Sequence, residues 1–259
     1  MCGICGFTGY RQDQKTVIER MMKAIEHRGP DSEGSFCREK ITLGFRRLSI
    51  IDLEDGQQPM ESADGNLHIV FNGEIYDYKE LRAELEAFGI SFCTHSDTEV
   101  LINTIQQYGE KALDKLRGMF GFAVWNEQEQ SLMLARDFFG IKPVYYAEID
   151  GHFVFASEIK SILAFPGYER KVNQKALEQY LSFQYSPLEE TFFRGIYKLM
   201  PGHMLLYKNG NYEIKTYFKT KLTPDKWNRK TNMDQLRSQL AEILKDSVKH
   251  HMLSDVEVG

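Results

Sequence analysis

The chain begins Met1-Cys2-Gly3-Ile4-Cys5-Gly6-Phe7-Thr8. An uncharged run of small and apolar residues from Gly3 to Thr8 is typical of a buried strand. Cys2 follows the initiator methionine directly. Methionine aminopeptidases remove an initiator Met that precedes a small residue, so we expect Cys2 to be the mature amino terminus. One residue then carries both a thiol and a free α-amine.

A cysteine at the amino terminus can act as a nucleophile without a separate base. The reference pKa of a thiol is near ~8.5 and that of an α-amine is ~7.7 to 8. The amine can therefore accept the thiol proton, directly or through water, close to neutral pH. Such a nucleophile carries its own general base, whereas an ordinary thiol protease needs a histidine.

Cys2 and Cys5 also form a Cys-x-x-Cys pattern, which is found in redox pairs and in halves of zinc sites. A zinc site would need two more ligands, and Cys37, Cys93 and His95 do not form a second pair with ligand spacing. A thioredoxin-like motif would lie where a strand meets a helix, whereas here the strand pattern continues. Spacing alone leaves metal and redox roles open, with an inert buried thiol the commonest outcome for the other three cysteines.

Composition limits the classes of function. The 259 residues can form one sizeable core in one or two domains, and 42% hydrophobic with 27% charged residues is ordinary for a folded protein. A net charge of -5 offers no broad cationic surface, so nucleic acid is not an expected partner. We find no run long enough to span a bilayer and no basic leader, and four cysteines are too few for a disulfide framework. We therefore expect a cytoplasmic protein that does not engage membranes.

Hydrophobic periodicity predicts alternating helices and strands in the first half of the chain. Ser96-Asp97-Thr98-Glu99 has the capping-box pattern of a helix start. The other predicted elements are a helix with Val17, Met21, Met22 and Ile25 on one face, a turn at 28–32, strands at 43–51 and 67–71, a helix marked by Leu81, Leu85 and Phe88, and inward positions Val100, Leu101, Ile105 and Tyr108 after the capping box.

The second half is richer in β-structure. Short runs separated by turn residues predict antiparallel strands at 120–125, 131–135, 144–147 and 153–156, followed by a helix at 174–183. Asn209-Gly210 between 204–207 and 212–217 predicts a hairpin. The last predicted elements are a long amphipathic helix with Leu236, Leu240, Ile243, Leu244 and Val248 on one face, and a strand at 256–259.

Eight motifs stand in the order found in glutamine-hydrolysing asparagine synthetases, which the sequence therefore resembles. They are Met1-Cys2-Gly3-Ile4-Cys5-Gly6, His27-Arg28-Gly29-Pro30-Asp31, Arg46-Arg47-Leu48-Ser49-Ile50-Ile51-Asp52, Phe71-Asn72-Gly73-Glu74-Ile75-Tyr76, Ser96-Asp97-Thr98-Glu99, Arg117-Gly118-Met119-Phe120, Arg136-Asp137-Phe138-Phe139-Gly140-Ile141-Lys142-Pro143 and Phe155-Ala156-Ser157-Glu158. These enzymes are class II glutamine amidotransferases.

The resemblance implies an α+β fold, a four-layer α/β/β/α sandwich of two antiparallel sheets known as the N-terminal-nucleophile hydrolase fold. It covers residues 1–218 as a glutaminase domain. Residues 219–232 are then a linker, and 233–259 resemble the opening of an ATP-dependent asparagine synthetase domain that is cut short.

The resemblance also implies roles for particular residues. Cys2 is the nucleophile, and the side-chain amide of Asn72 with the backbone N–H of Gly73 forms the oxyanion hole. The remaining glutamine-binding residues are Arg47 for the carboxylate, Asp97 for the α-ammonium, Glu74 beside it, Leu48 and Ile50. Without the motifs, Arg47 would be a surface cation next to Arg46, Asp97 a helix cap, and Asn72-Gly73 a hairpin turn.

The implied reaction is release of ammonia from L-glutamine, which the full-length enzyme uses to amidate ATP-activated aspartate to asparagine. No metal or cofactor is expected for the glutaminase half, and ATP with magnesium only with the missing synthetase domain. That domain and L-glutamine are the expected partners, and a homodimer stays open. Two alternatives remain: the glutaminase half of another class II amidotransferase such as glucosamine-phosphate synthase, and a catalytically silent glutaminase-like module that binds metabolites or partners.

Overall fold

Two antiparallel sheets of six strands each form the centre of the protein. The computed structural model describes residues 1–48, 56–221 and 232–252. The first sheet contains β1 (Gly3–Thr8), β2 (Ser32–Cys37), β3 (Ile41–Arg47), β8 (Tyr145–Ile149), β9 (His152–Ala156) and β10 (Ile196–Lys198) in the order β10-β8-β9-β1-β3-β2. The second contains β4 (Met60–Glu61), β5 (Leu67–Ile75), β6 (Gly118–Asn126), β7 (Ser131–Arg136), β11 (His203–Lys208) and β12 (Asn211–Thr216) in the order β12-β11-β7-β6-β5-β4.

Helices cover the outer faces of both sheets. They are α1 (Gln14–Ala24), α2 (Tyr78–Ala87), α3 (Asp97–Tyr108), α4 (Ile159–Leu163), α5 (Gln174–Phe183) and α6 (Met233–His251). One buried cluster joins α2 and α3 to the second sheet, another joins α1 and α4 to the first, and a third fills the space between the sheets. Three apolar layers separate four layers of structure, which confirms the predicted α/β/β/α sandwich.

β1 lies inside the first sheet, paired with β3 on one side and β9 on the other. Ile4 packs between the sheets, whereas Cys5 and Phe7 face α1. The side chain of Cys2 packs on the same side as Ile4. Cys2 and Cys5 therefore point to opposite faces of the strand and cannot share an ion or a disulfide in this arrangement. Burial raises the pKa of the Cys5 thiol to about 12, so Cys5 is an inert core residue.

β5 is longer than the sequence pattern predicts, because it continues past Phe71 to Ile75. Asn72 pairs with Gly121 and Gly73 with Phe120 of β6. The Asn72-Gly73 dipeptide is thus the interior of a strand, and a hairpin turn is wrong there. A Cβ on Gly73 would lie 2.1 Å from the carbonyl oxygen of Met119, so the close approach of β6 requires glycine at this position.

The predicted capping box is half formed. The side chain of Ser96 accepts a hydrogen bond from the N–H of Glu99 at 3.2 Å, which caps α3. Glu99 does not return to Ser96, because its carboxylate accepts the N–H groups of Cys93 and Thr94 at 2.7 Å each. The helix start is confirmed, and the carboxylate fastens the preceding loop to it.

Other predictions differ in their outcomes. The helix at 174–183 is confirmed, and the hairpin between β11 and β12 turns at Asn209 and Gly210 with φ of 53° and 79°. The predicted strand at 43–51 begins earlier, at Ile41, and ends at Arg47; Leu48 lies outside the strand, and 49–51 lie outside the described residues. Phe88 is 61% exposed, so placing it on the buried face of α2 was wrong. The sequence patterns missed β2, β4, β10 and α4.

The predicted long helix is confirmed as α6, which contacts the second sheet and its flanking loops near its own carboxyl end. Arg117 forms an ion pair with Asp246 at 2.6 Å, and the rings of Tyr76 and His251 lie 4.4 Å apart. The apolar stripe of α6 is largely uncovered within the described chain, with Ile243 65% exposed. Residues 253–259 and most of the predicted linker lie outside the described residues. Among the described helices, none combines the length and hydropathy that a membrane span requires.

Candidate active site

Two strands from different sheets deliver side chains into one pocket. On β3, Phe45 packs between the sheets, so Arg47, two residues later, points to the same side. On β5, Val70 packs between the sheets, so Asn72 and Glu74 follow on that side. The period of two residues in each strand thus brings a guanidinium, an amide and a carboxylate together.

The pocket gathers nearly all of the predicted site residues. Among the residues that line it are Cys2, Arg47, Leu48, Asn72, Gly73, Glu74 and Asp97, together with Gln58, Ser96, Thr98 and Lys142. Ile50 lies outside the described residues. Residues as far apart in the sequence as Cys2 and Lys142 therefore share one pocket.

The sulfur of Cys2 is held by the main chain of Leu48. The N–H of Leu48 lies 3.4 Å from the sulfur, and the thiol lies 3.5 Å from the Leu48 carbonyl oxygen. Burial raises the pKa of the Cys2 thiol, while the Leu48 hydrogen bond and the nearby amino terminus act in the opposite direction. The resting sulfur is therefore a thiol that needs a base.

The two neighbouring arginines have separate environments. The side chain of Arg46 points away from the pocket, donating to the carbonyl oxygen of Gly29 at 3.0 Å and pairing with Glu33. Arg47 is 4% exposed and lines the pocket. The alternative of a surface cation at Arg47 is therefore wrong, and the pocket wall includes a planar guanidinium of the kind that binds carboxylates.

Asn72 carries the clearest sign of a site prepared for a ligand. It is 1% exposed, and its side-chain Nδ2 has no hydrogen-bond partner among the described residues. A buried amide without a partner costs about 1 to 3 kcal/mol, so such groups are rare unless a bound molecule completes them. The donor belongs to a residue that lines the same pocket as the Cys2 sulfur.

Asp97 begins α3 but does not cap it, because Ser96 has that role. Its Oδ2 accepts the N–H of Ile75 at 3.0 Å, which ties the helix to β5. Burial raises the pKa of Asp97 to about 7, and the charge of Glu74 adds to the rise. A ligand cation would relieve this cost, so Asp97 is suited to an ammonium group.

Lys142 is a pocket residue that the sequence analysis did not single out. It is 5% exposed, and burial lowers the pKa of its ammonium while the charge of Glu74 raises it. Burial likewise raises the pKa of Glu74, against the effect of Lys142. The pocket therefore contains two cationic and two acidic side chains, with Arg47 and Asp97 as the other pair.

The loop that presents Lys142 is held by its own first residues. The Asp137 carboxylate accepts the N–H groups of Ile141 and Lys142 at 2.9 Å each. Arg136 donates to the carbonyl oxygens of Gly140 at 2.7 Å and Lys142 at 2.8 Å. The motif at 136–143 is thus a clamped loop, and these contacts fix the main chain that presents Lys142.

Gln58 is a second pocket residue that sequence reasoning missed. Its Oε1 accepts the N–H of Phe71 at 2.6 Å, and its Nε2 donates to the hydroxyl of Thr98 at 3.1 Å. This amide joins β5 to the start of α3 across the pocket wall. A glutamine in a loop carries no pattern that would have identified it. In the described parts of the chain, His, Cys, Asp and Glu side chains do not gather in groups of three or more that could hold a metal ion.

The four-layer sandwich and a pocket built around a cysteine next to the amino terminus define a class II glutamine amidotransferase domain. The family model described as "Glutamine amidotransferase domain" matches residues 1–218, and the chain belongs to that family.

Comparison with known proteins specifies the type of relative. The chain is 45% identical over 99% of its length to "Asparagine synthetase [glutamine-hydrolyzing] 1" of Bacillus subtilis (strain 168) and 39% identical over 100% to "Asparagine synthetase [glutamine-hydrolyzing] 2" of that organism. It covers 41% and 36% of these relatives, so it spans about two fifths of their length and matches their glutaminase part. The structure of glutamine phosphoribosylpyrophosphate amidotransferase from B. subtilis superposes with a TM-score of 0.64 at 20% identity, covering 85% of this chain and 50% of the other, which supports the fold alone.

Proposed function

We propose that the Cys2 thiol hydrolyses L-glutamine to glutamate and ammonia in this pocket. One observation carries the proposal: the thiol shares a buried pocket with the Arg47 guanidinium, the Asp97 carboxylate and the Asn72 amide, whose nitrogen has no hydrogen-bond partner within the described residues. The carboxamide of glutamine suits the thiol and the Asn72 amide, its α-carboxylate suits Arg47, and its α-ammonium suits Asp97.

Arg47 and Asp97 hold the amino-acid end of the substrate. A planar guanidinium binds a carboxylate with two parallel hydrogen bonds, which orients as well as attracts it. The Asp97 carboxylate takes the α-ammonium, with Glu74 close enough to add its charge. Leu48 and Ile50 complete the binding residues, and the carboxamide is directed towards Cys2.

The chemical step uses the groups of Cys2 itself. After Met1 is removed, the α-amine of Cys2 accepts the thiol proton and the thiolate attacks the carboxamide carbon. The Asn72 amide and the Gly73 N–H stabilise the resulting oxyanion. Collapse breaks the C–N bond, the protonated amine returns its proton to the leaving nitrogen, and ammonia departs. Water then hydrolyses the γ-glutamyl thioester to glutamate and restores the thiol.

The ammonia has a use in a longer protein. By analogy with the names of its relatives, a synthetase domain would use it to amidate aspartate, activated by ATP with magnesium, to asparagine. We assign no metal or cofactor to the glutaminase half. The four free cysteines suit a reducing compartment, so we place the activity in the cytoplasm.

Glutamate and ammonia formation by the 259-residue chain tests the proposal directly. The processed chain is expected to release the two products in equal amounts, with no dependence on magnesium-ATP and no asparagine when aspartate is supplied. Cys2→Ala is the matched control and should be inactive with glutamine still bound. Binding of glutamine without turnover by the processed chain would instead show a catalytically silent module.

A further inference from the structure

Glu158 ends a series of contacts that reaches the main chain of Cys2. The Nε of Arg28 donates to the carbonyl oxygen of Cys2 at 2.8 Å. The Nη1 of the same guanidinium donates to Oε1 of Glu158 at 2.9 Å. Arg28 is 9% exposed, so this cation joins the two residues from a buried position. The two motifs that contain Arg28 and Glu158 are 130 residues apart in sequence and meet behind the nucleophile.

The position of Glu158 is set by the same strand that begins after Cys2. Ser157 donates its N–H to the carbonyl oxygen of Ile4 at 2.8 Å, and its hydroxyl accepts the N–H of Ile4 at 3.0 Å. Ser157 is fully buried. The main chain at Glu158, the next residue, is therefore held beside β1.

Three basic side chains surround the Glu158 carboxylate. Besides Arg28, Lys160 lies 3.0 Å from Oε2, and His27 lies 2.9 Å from Oε1. Although burial acts to raise the pKa of Glu158, hydrogen bonds from Arg28, Lys160 and His27 lower it overall. The carboxylate is thus ionised at neutral pH. Within the described part of the chain, Glu158 is the acidic partner of Arg28. Nη2 of Arg28 has no hydrogen-bond partner among the same residues.

Holding the carbonyl of Cys2 restricts the whole nucleophilic residue. The peptide between Cys2 and Gly3 is planar, so a hydrogen bond to the carbonyl oxygen fixes the orientation of that plane. Gly3 is itself held by pairing with Arg46 of β3. The placement of the thiol and of the α-amine relative to the pocket then follows from the Arg28 contact.

We propose that Glu158 is a positioning residue of the glutaminase site, which orients the Arg28 guanidinium and thereby the Cys2 nucleophile. Glu158 does not line the pocket and takes no part in proton transfer. Its effect on turnover rests on the proposed function, whereas its effect on the reactivity of the Cys2 thiol does not.

Glu158→Ala is the principal test, with Glu169→Ala as control because Glu169 forms an exposed ion pair with Lys171 at 2.6 Å. We expect kcat for glutamine hydrolysis to fall about 10- to 100-fold, as for a small misplacement of reacting groups, with KM changed little. The double variant of Glu158→Ala with Arg28→Lys should have nearly the same kcat as Arg28→Lys alone, because both changes disrupt the same series of contacts. The control variant should match the wild type.

A second readout does not require glutamine. The rate of alkylation of Cys2 by iodoacetamide, followed by peptide mass spectrometry to separate it from Cys37 and Cys93, should fall about fivefold near pH 7 in Glu158→Ala, with its pH midpoint raised. If Glu158→Ala does not fold, Glu158→Gln keeps the size of the side chain and should show the same effects in weaker form.

Wild-type kcat and alkylation in a folded Glu158 variant would overturn the proposal, and so would full additivity with Arg28→Lys. If the wild-type chain hydrolyses no glutamine, the proposed function fails but the alkylation experiment still decides the role of Glu158. A change confined to KM would also count against positioning of the nucleophile.

Discussion

The N–H of Leu48 faces the Cys2 sulfur from 3.4 Å, while the carbonyl oxygen of the same residue lies 3.5 Å from that sulfur. A thiolate accepts the first contact and a thiol donates to the second, so the main chain of one residue serves both protonation states. The sulfur needs no movement when its proton leaves. The proton still needs an acceptor, and in the proposed mechanism that acceptor is the α-amine of Cys2.

Retention of Met1 is expected to abolish glutamine hydrolysis. An additional residue turns the α-amine of Cys2 into an amide, which cannot accept a proton, and Met1 itself lines the pocket. Intact mass of each preparation, measured together with ammonia release, checks this. A preparation that retains Met1 and still shows full activity would contradict the self-activated mechanism.

Asn72→Ala should lower kcat about 10²- to 10³-fold, as expected for loss of one oxyanion donor. Because the amide nitrogen of Asn72 has no hydrogen-bond partner among the described residues, removal of the side chain should change stability by less than about 1 kcal/mol. Thermal unfolding and steady-state kinetics measure the two effects. A marked loss of stability with little loss of kcat would show that the amide is structural.

Glutamine affinity should rise with pH as Asp97 ionises. Since the pKa of Asp97 is raised to about 7, the protonated acid below that pH cannot pair with an ammonium. In the Cys2→Ala variant the thiol no longer titrates. At pH values below the pKa of Asp97, the Kd for glutamine should fall up to about tenfold for each unit by which the pH is raised. Calorimetry between about pH 5 and pH 8 tests it, and Asp97→Asn should bind weakly with no such slope.

The same carboxyl predicts a change of stability with pH. Its folded pKa of about 7 exceeds the reference value of 3.8, so the native state keeps a proton that the unfolded chain releases. The contribution of Asp97 to native stability is therefore fully present below pH 3.8 and is lost as pH rises towards 7. Asp97→Asn should flatten this decline, by on the order of 1.4 kcal/mol per unit of pKa shift. An unchanged slope in urea unfolding would show that Asp97 is not the group responsible.

Lys142→Met should move the pH profile of kcat/KM to higher pH. Burial, Arg28 and Lys142 lower the pKa of the Met1 amine. We expect the Lys142 cation to act in the same direction on the Cys2 amine of the processed chain, so its removal should raise the pKa of that amine. Lys142→Arg should restore the profile, and Lys111→Met, at an exposed position, is the control. A profile that stays in place while kcat falls would indicate that Lys142 only supports the loop.

Much of the fold follows from local patterns. The strand at Gly3–Thr8 and the helix at Gln14–Ala24 carry strong periodicity, and Asn209-Gly210 demands left-handed backbone at a hairpin. β2 could not be predicted, because Ser32–Cys37 is a half-exposed edge strand without apolar alternation. The extension of β5 to Ile75 could not be predicted either. Asn72-Gly73 locally favours a turn, and only pairing with β6 overrides that preference.

The site residues were predicted through their motifs, and strand parity explains why they meet. Arg47 and Arg46 look equivalent in the sequence, and only the register of β3 separates them. Lys142 and Gln58 were missed as pocket residues because their placement depends on long-range contacts: a clamped loop for one and a hydrogen bond to Phe71 for the other. The roles of the predicted residues stay predictions until the variants are measured.

The interior position of β1 means that this strand can complete its pairing only late in synthesis of the chain. Its partners β3 and β9 end at Arg47 and Ala156, so the first strand to leave the ribosome cannot take its place until the ninth has been made. At ordinary rates of translation that is roughly 8 to 30 s. During this interval the amino terminus of the nascent chain is open to the enzyme that trims it, and the reactive thiol is buried only afterwards.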